Sequence, residues 1–201
     1  MKNIFPSLKS QGVINKKVLK AVRSLPRELF IPQNLRKLSY LGSALPIDCG
    51  QTISQPFIVS FMTEQLEINP TDKVLEIGTG SGFQAGVLAQ LAQKVYTVEI
   101  YEELGRKSRQ LLSSLGFQNI FYKVGDGKEG WKEFAPFDKI IITALAKEIP
   151  SEIINQLKVN GKMILPLRIN DNEEYLFLIN KLTKSKIEKE KLIQVRFVPL
   201  I

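Results

Sequence analysis

Three glycines follow a short apolar stretch in the segment Val74-Leu-Glu-Ile-Gly-Thr-Gly-Ser-Gly82. Glycine tolerates the sharp turn and the close backbone approach that a bound nucleotide requires. An acidic residue, Glu99, ends the next apolar run about 20 residues further on, where Rossmann-type sites place a carboxylate that accepts hydrogen bonds from ribose hydroxyls. The spacing therefore predicts a site for a cofactor that contains a nucleoside.

Two further carboxylates accompany this loop. Glu76 lies inside the apolar stretch, where an unpaired charge is costly, so we expect it to face the cofactor pocket or to form a structural pair. Asp126, in Gly125-Asp-Gly127, either binds an adenine amino group or makes a turn. The predicted cofactor-binding residues are Glu76, Gly78, Thr79, Gly80, Ser81, Gly82, Glu99, Asp126 and Gly127. The plainer alternatives are loop glycines and a solvated carboxylate at Glu99.

These residues alone do not separate S-adenosylmethionine from a nicotinamide cofactor. The spacing is G-x-G-x-G, whereas most dinucleotide sites have G-x-G-x-x-G. A short-chain dehydrogenase would also need a tyrosine and a lysine placed together as a proton relay. Tyr96, Tyr101 and Tyr122 show no such pairing, which weakens the dehydrogenase hypothesis without removing it.

Such a site requires strands that alternate with helices. The patterns predict strands at 74–77, 95–100, 120–124, 139–143 and 162–167, and helices at 83–93, 101–114 and 149–157. This alternation indicates βαβ units and a mostly parallel sheet. The runs 175–182 and 192–201 have no helix between them and predict an antiparallel edge.

The residues before this core predict helices and loops. Apolar spacing indicates a helix over 12–24, and a second helix begins at Pro56, with Ser54 as a candidate N-cap. We expect one domain over 1–201, with an N-terminal extension at 1–70 and a cofactor-binding α/β core with C-terminal strands at 71–201.

The composition excludes several kinds of chemistry. Histidine is absent, which removes the commonest general base and metal ligand, so a Ser-His-Asp triad is excluded and no metal is expected. Cys49 is the only cysteine, which suits a reducing compartment. The opening 12 residues lack the apolar run of a signal peptide, and no stretch approaches the roughly 18 apolar residues of a membrane span. We expect a cytoplasmic protein with no membrane partner.

The net charge of +8 is compatible with nucleic acid, a membrane surface or acidic substrates as partners. The lysines are scattered, however, and the densest cluster, at 181–191, is interrupted by Glu188 and Glu190. That segment predicts a solvated connection, and we expect no nucleic-acid partner.

One block ahead of the glycine loop resembles a known family. Ala44-Leu-Pro-Ile47 and Gly50-Gln-Thr-Ile-Ser-Gln-Pro56 are similar to the signature of the protein-L-isoaspartate O-methyltransferases. The resemblance extends over nearly the whole chain and is most specific at 51–56 and 195–200. Its further segments, in the family's order, are Pro26-Arg27, Phe30-Ile-Pro32, Val74 to Gly82, Val95 to Glu99, Gly125 to Gly127, Gly130-Trp131, Pro136 to Asp138, Thr143-Ala144, Ile149-Pro150, Gln156-Leu157, Gly161 and Val195 to Leu200.

The resemblance implies a Rossmann-like, seven-stranded methyltransferase fold with S-adenosylmethionine as cofactor. It also implies methyl transfer to the free α-carboxylate of L-isoaspartyl residues in damaged proteins and peptides. The ester then closes to a succinimide, whose hydrolysis restores some normal aspartate. A carboxylate is already ionised at neutral pH, so the reaction needs positioning and desolvation rather than a general base, and the lack of histidine does no harm. We expect a monomer.

The same resemblance assigns residues to the substrate. It places the hydroxyl of Ser54 near the substrate carboxylate, as the catalytic residue. The substrate-binding residues that it implies are Thr52, Ile53, Gln55, Ala144, Val198 and Leu200. A simple N-cap role for Ser54 is compatible, because a helix N-terminus is itself a favourable anion site. From pattern alone, 195–200 could equally be an apolar edge strand.

The chain also departs from the usual family pattern, though not at cofactor residues. The departing positions are Lys9, Asp48, Cys49, Phe57, Leu145, Lys147 and Asn160. They bear on substrate affinity, and Asp48 could repel a carboxylate if it points inward. Three other hypotheses remain open: a methyltransferase for a small molecule or RNA, a non-catalytic S-adenosylmethionine-binding protein and a nicotinamide oxidoreductase.

Overall fold

The computed structural model describes residues 5–201, and the first four residues of the opening segment considered for a signal peptide lie outside that range. A central sheet in the described chain has seven strands: β3 Lys73–Ile77, β4 Lys94–Glu99, β5 Ile120–Val124, β6 Phe137–Ile142, β7 Leu157–Asn170, β8 Glu173–Lys181 and β9 Ile187–Gln194. Their order is β5-β4-β3-β6-β7-β8-β9. The first five are mutually parallel, β8 pairs antiparallel with β7, and β9 pairs antiparallel with β8. The predicted fold class is confirmed.

Helices cover both faces of this sheet. They are α1 Phe5–Ser10, α2 Lys16–Ser24, α3 Pro56–Gln65, α4 Phe83–Ala89, α5 Glu102–Ser114 and α6 Ser151–Gln156. One apolar cluster joins α2, α3, α4 and α5 to the sheet through residues such as Val22, Met62, Leu88 and Leu112. The other lies beneath α6 and includes Phe137, Ile140, Ile153 and Leu165. Along α5 the buried residues recur at helical spacing, as the sequence predicts.

A small hairpin lies in the N-terminal segment. Strands β1 Leu45–Pro46 and β2 Thr52–Ile53 pair antiparallel, with Leu45 opposite Ile53. Leu45 and Ile53 are both buried. The hairpin therefore anchors the 51–56 block to the apolar cluster next to α3.

One helix start and one helix cap differ from prediction. The Asn15 side chain accepts hydrogen bonds from the backbone of Lys17 and Val18, so α2 begins at Lys16 rather than at residue 12. The expectation that Ser54 caps α3 is wrong. Gln55 occupies the N-cap position without a side-chain bond, because Pro56 takes the first helical position.

The C-terminal strand is also misplaced in the sequence prediction. The last strand of the sheet is β9, Ile187–Gln194. It overlaps both the segment predicted as a solvated connection, 181–191, and the start of the predicted strand, 192–201. Edge strands tolerate charge, and here Lys189 Nζ lies 4.1 Å from the centre of the Phe177 ring and Lys191 Nζ 4.5 Å from that of Tyr175. The lysine stems therefore cover aromatic surface of β8. The alternating charges of this segment gave no indication of this packing.

Other boundaries shift by a few residues. Helix α4 ends at Ala89, short of the predicted residue 93, and β7 exceeds the predicted 162–167 at both ends. The length of β7 follows from its pairing with both β6 and β8. Within residues 5–201, no helix combines the length and the apolarity needed to cross a bilayer.

Candidate functional site

A cavity opens beyond the carboxyl ends of β3, β4 and β6, where ligands bind in open α/β sheets. Its walls are the glycine loop, the end of β4, the 51–54 block, the turn after β6 and the C-terminal tail, 195–201. The predicted site residues that line it are Thr52, Ile53, Ser54, Gly78, Thr79, Gly80, Ser81, Glu99, Gly127, Ala144, Val198 and Leu200. Gln55, Glu76, Gly82 and Asp126 are not part of its lining.

Several lining residues were not predicted as site residues. They are apolar or neutral and include Ile58, Met62, Phe83, Gln84, Ile100, Tyr101 and Thr143. Helical spacing in α3 and α4 predicts only that such side chains face the interior. Whether an interior position packs against the core or against a cavity depends on tertiary contacts, so the pattern carried no signal for these residues.

The first glycine of the loop is required by a close contact. Gly78 has φ +93°, and a Cβ there would lie 2.4 Å from Thr143 Oγ1. The Thr143 hydroxyl donates to the Gly78 carbonyl oxygen at 2.7 Å, and the Gly78 N–H donates to the Val98 carbonyl at 2.9 Å. The loop is therefore fixed between β4 and the turn that follows β6.

Glu99 fixes the middle of the same loop. One carboxylate oxygen accepts the Gly80 N–H at 2.7 Å, and the other accepts the Tyr101 N–H at 3.0 Å. The side chain is buried but lines the cavity. Each carboxylate oxygen has a second lone pair, so Glu99 can also accept hydrogen bonds from ligand hydroxyls.

Glu76 lies beneath the loop rather than in the cavity wall. Alternation along β3 places Ile77 at the cavity and Glu76 on the other face, opposite Thr97 of β4. The Thr97 hydroxyl donates to Glu76 Oε2 at 2.6 Å and lies 2.6 Å from Thr79 Oγ1. Glu76 Oε1 has no hydrogen-bond partner in the described part of the chain. Burial raises the pKa of Glu76 to about 8, although the Thr97 hydrogen bond opposes that shift. Glu76 is thus linked to the loop through two hydroxyls.

The remaining cofactor candidates have structural contacts of their own. Asp126 is exposed, and its Oδ1 accepts the Lys128 N–H at 2.8 Å, which caps the short turn Gly127–Glu129. Gly82, with φ +85°, packs so closely on α5 that a Cβ would lie 2.9 Å from Ser108 Cβ. These contacts favour the turn role for Asp126 and a packing role for Gly82.

Two of the predicted substrate residues, Ser54 and Gln55, directly precede α3. Ser54 is half-buried, and its carbonyl oxygen accepts a hydrogen bond from Arg27 Nη2 at 2.8 Å. No hydrogen bond joins the Ser54 hydroxyl to another residue within 5–201, so it can donate to a ligand. Gln55 is exposed at the N-cap of α3, outside the lining.

The C-terminal tail is held by backbone bonds rather than by a sheet. The Leu145 N–H donates to the Val198 carbonyl at 2.8 Å, and the Leu200 N–H donates to the Leu145 carbonyl at 2.8 Å. Glu174 accepts the Phe197 N–H at 3.1 Å. The tail therefore lies across the turn after β6, and the unusual residue Leu145 takes part through its backbone.

Asp48 does not line the cavity. It lines a neighbouring groove, where its carboxylate lies 2.8 Å from Lys107 Nζ. Its negative charge is therefore paired with Lys107, outside the cavity that Ser54 lines.

Residues 1–201 match the model of the family described as protein-L-isoaspartate(D-aspartate) O-methyltransferase. The chain belongs to this family. Protein-L-isoaspartate O-methyltransferases from Parvibaculum lavamentivorans and Dictyoglomus thermophilum are each 48% identical to it. These alignments cover 96% of this chain in both cases, and 88% and 87% of the two relatives.

Solved structures that carry the name of this family have the same fold as this chain. One protein-L-isoaspartate O-methyltransferase superposes with a TM-score of 0.87 at 28% identity over 98% of this chain, which spans 64% of that protein's length. A putative member from Plasmodium falciparum, solved with S-adenosyl-L-homocysteine, has a TM-score of 0.87 at 24% identity, covering 98% of this chain and 96% of that one. Family membership confirms the resemblance and the predicted enzyme class, a methyltransferase that uses S-adenosylmethionine.

Proposed function

We propose that this chain transfers a methyl group from S-adenosylmethionine to the free α-carboxylate of L-isoaspartyl residues in damaged proteins and peptides. The observation that carries the proposal is a single cavity that joins the glycine loop and Glu99 to the Ser54 hydroxyl and the tail. A cofactor subsite and a subsite for an extended carboxylate substrate are therefore adjacent.

The residues present fit the cofactor. Gly78, Gly80 and Glu99 form a cradle at the carboxyl ends of β3 and β4, the position at which Rossmann-like folds bind a nucleoside. Gly127 lies beside this cradle and packs against Ile77, since a Cβ there would lie 2.4 Å from Ile77 Cγ2. We propose that Glu99 accepts the ribose hydroxyls. When bound, S-adenosylmethionine supplies a methyl group on a positively charged sulfur.

The chain's own contribution to the chemistry is orientation and exclusion of water. A substrate carboxylate oxygen forms the new bond to the methyl carbon as the carbon–sulfur bond breaks, and the electron pair stays on sulfur. The Ser54 hydroxyl donates to the carboxylate and aims it at the methyl group. The apolar side chains of Ile58, Met62 and Phe83 line the same cavity and limit solvation of the nucleophile. No proton has to be removed, because the carboxylate is ionised at neutral pH.

The peptide partner follows from the tail. Val198 and Leu200 line the cavity, and their backbone is held by Leu145. A peptide lying along this segment would be bound mainly through its main chain, which suits damaged sites in varied sequences. We also propose a cytoplasmic location, which the single cysteine favours. The monomeric state and the division at residue 70 stay predictions.

An acceptor panel separates this function from the other methyltransferase and binding hypotheses. Calorimetric titration with S-adenosyl-L-homocysteine and with a nicotinamide dinucleotide establishes which cofactor binds. In separate reactions, the protein is then given S-adenosylmethionine together with an isoaspartyl peptide, RNA or a small carboxylic acid. We expect binding of the homocysteine derivative alone and turnover with the isoaspartyl peptide alone. Tight cofactor binding without turnover of that peptide would overturn the proposal.

A further inference from the structure

Arg27 is a cation buried in the N-terminal segment, within the short turn Arg27–Phe30. Its side chain is only 1% exposed. Nε donates to the Ser39 carbonyl at 3.0 Å, and Nη2 donates to the Ser54 carbonyl at 2.8 Å. Nη1 has no partner.

This buried charge has no carboxylate partner among the described residues. The neighbouring carboxylate, Glu28, instead accepts a hydrogen bond from the Tyr40 hydroxyl. Burial lowers the pKa of Arg27 to about 10, so the guanidinium stays charged at neutral pH. An uncompensated buried charge is costly, and stability alone would not favour it.

The guanidinium lies directly behind the substrate wall of the cavity. Its central carbon is 5.0 Å from the centre of the Phe83 ring. Phe83 and Ser54, the two residues it contacts on this side, both line the cavity. The positive charge is therefore separated by one layer of protein from the place where we put the substrate carboxylate.

We propose that Arg27 is a positioning residue for the substrate carboxylate: it fixes Ser54 through the carbonyl oxygen and supplies the countercharge that an anionic substrate completes. The inference rests on the proposed function. In a region of low dielectric constant, a fixed positive charge favours entry of an anion and opposes entry of a cation. Arg27 should therefore affect the peptide substrate and have little effect on S-adenosyl-L-homocysteine.

A second buried cation provides a matched control. Lys181 of β8 is 6% exposed, and its Nζ donates to the carbonyls of Ile154 and Leu157, each at 2.7 Å. Leu157 pairs with Phe137 at the start of β6, whereas the cavity lies beyond the end of that strand. Loss of Lys181 removes a comparable set of hydrogen bonds far from the substrate wall.

The test compares R27M, R27K and K181M with the unaltered chain. The measured quantities are kcat and KM for an isoaspartyl peptide, the dissociation constant of S-adenosyl-L-homocysteine and the midpoint of thermal unfolding. For R27M we expect a rise in peptide KM of about tenfold or more, with a cofactor dissociation constant that changes less than about twofold. R27K should recover part of the loss, because it keeps the charge but not the planar fork. K181M should lower the unfolding midpoint and leave the peptide KM unchanged.

The outcomes separate this inference from the function on which it rests. An unaltered chain that binds cofactor but does not methylate the isoaspartyl peptide overturns both. An active unaltered chain, with a peptide KM in R27M no higher than in K181M, overturns the inference alone. If R27M does not fold, R27K decides: a rise in KM of about threefold at unchanged cofactor affinity supports the role of Arg27, and an unchanged KM overturns it.

Discussion

Glu99 Oε2 accepts the backbone N–H of Gly80 at 2.7 Å, and this bond ties the glycine loop after β3 to the end of β4. The other carboxylate oxygen accepts the Tyr101 N–H at the start of α5. Glu99 therefore shapes the cavity before any ligand arrives, in addition to its proposed role toward ribose hydroxyls. The carboxylate of Glu99 thus holds the loop and the start of α5 together.

Replacing Glu99 with alanine should weaken cofactor binding strongly. The change removes the acceptors of two backbone N–H groups and the proposed ribose contact, so we expect the dissociation constant of S-adenosyl-L-homocysteine to rise about tenfold or more. E99Q should lose less, since its amide oxygen still accepts one hydrogen bond. Isothermal titration calorimetry measures the effect, with the exposed Glu102 replaced by glutamine as control. Equal affinities of E99A and E102Q would contradict the account.

The close approach of Gly78 to Thr143 should make alanine costly there. Gly116 offers a matched control, because its φ of +88° resembles the +93° of Gly78 but nothing lies near its missing Cβ. We expect G116A to lose about 1 kcal/mol of unfolding free energy through backbone strain. G78A should lose the same amount and a further ~1–3 kcal/mol through the clash with Thr143. Urea denaturation of both variants checks this. Equal losses would show that the contact with Thr143 relaxes freely.

The buried carboxyl group of Glu76 should make stability depend on pH. Its pKa in the folded chain is about 8, against 4.5 ordinarily, so the folded state binds more protons than the unfolded state between these values. The contribution of Glu76 is therefore full below pH 4.5 and is lost as pH rises through about 8. E76Q does not titrate, so its stability relative to the unaltered chain should increase with pH, by at most about 1.4 kcal/mol per unit.

Chemical denaturation at several pH values from about 5 to about 9 measures the free energy of unfolding of E76Q and of the unaltered chain. The exposed Glu133, replaced by glutamine, serves as the control for the loss of one surface carboxylate. Parallel profiles for E76Q and the unaltered chain would mean that Glu76 is ionised in the folded protein at neutral pH.

The ion pair between Asp48 and Lys107 should keep the unusual aspartate from affecting the substrate. Both side chains are about half exposed and Asp48 faces the neighbouring groove, so D48N should change the KM for an isoaspartyl peptide by less than about twofold. Steady-state kinetics checks this against K107M, which leaves the Asp48 charge unpaired. A several-fold fall in KM for D48N would show that the carboxylate does repel the substrate.

Local chemistry made the cofactor end of the molecule predictable. The run from Val74 to Gly82 forms the end of β3 and the glycine turn, α4 follows at Phe83, and Glu99 ends the next strand. In these segments the apolar pattern, the glycines and the terminal acid all favour the same structure. The face of β3 on which Glu76 lies was harder to predict from the sequence, because it depends on the pleat of β3 and on Thr97 of the neighbouring strand.

The substrate end could be inferred only in part. Ser54, which the family motif singles out, lines the cavity. Its predicted capping role is wrong, because Pro56 takes the first helical position and leaves Gln55 as the N-cap. Nothing local indicates that Arg27 reaches Ser54, since the contact spans two loops. The charged strand β9 was missed because lysine stems that pack on Phe177 and Tyr175 look solvated in a one-dimensional pattern.

Transfer of labelled methyl groups to paired peptides tests the central claim most directly. The purified chain is incubated with S-adenosylmethionine labelled in the methyl group and with two peptides that differ only in L-isoaspartate or L-aspartate at one position. The account predicts base-labile label on the isoaspartyl peptide alone, and a large loss of that label in S54A at unchanged affinity for S-adenosyl-L-homocysteine. Label on neither peptide, in a preparation that binds the cofactor, would contradict it.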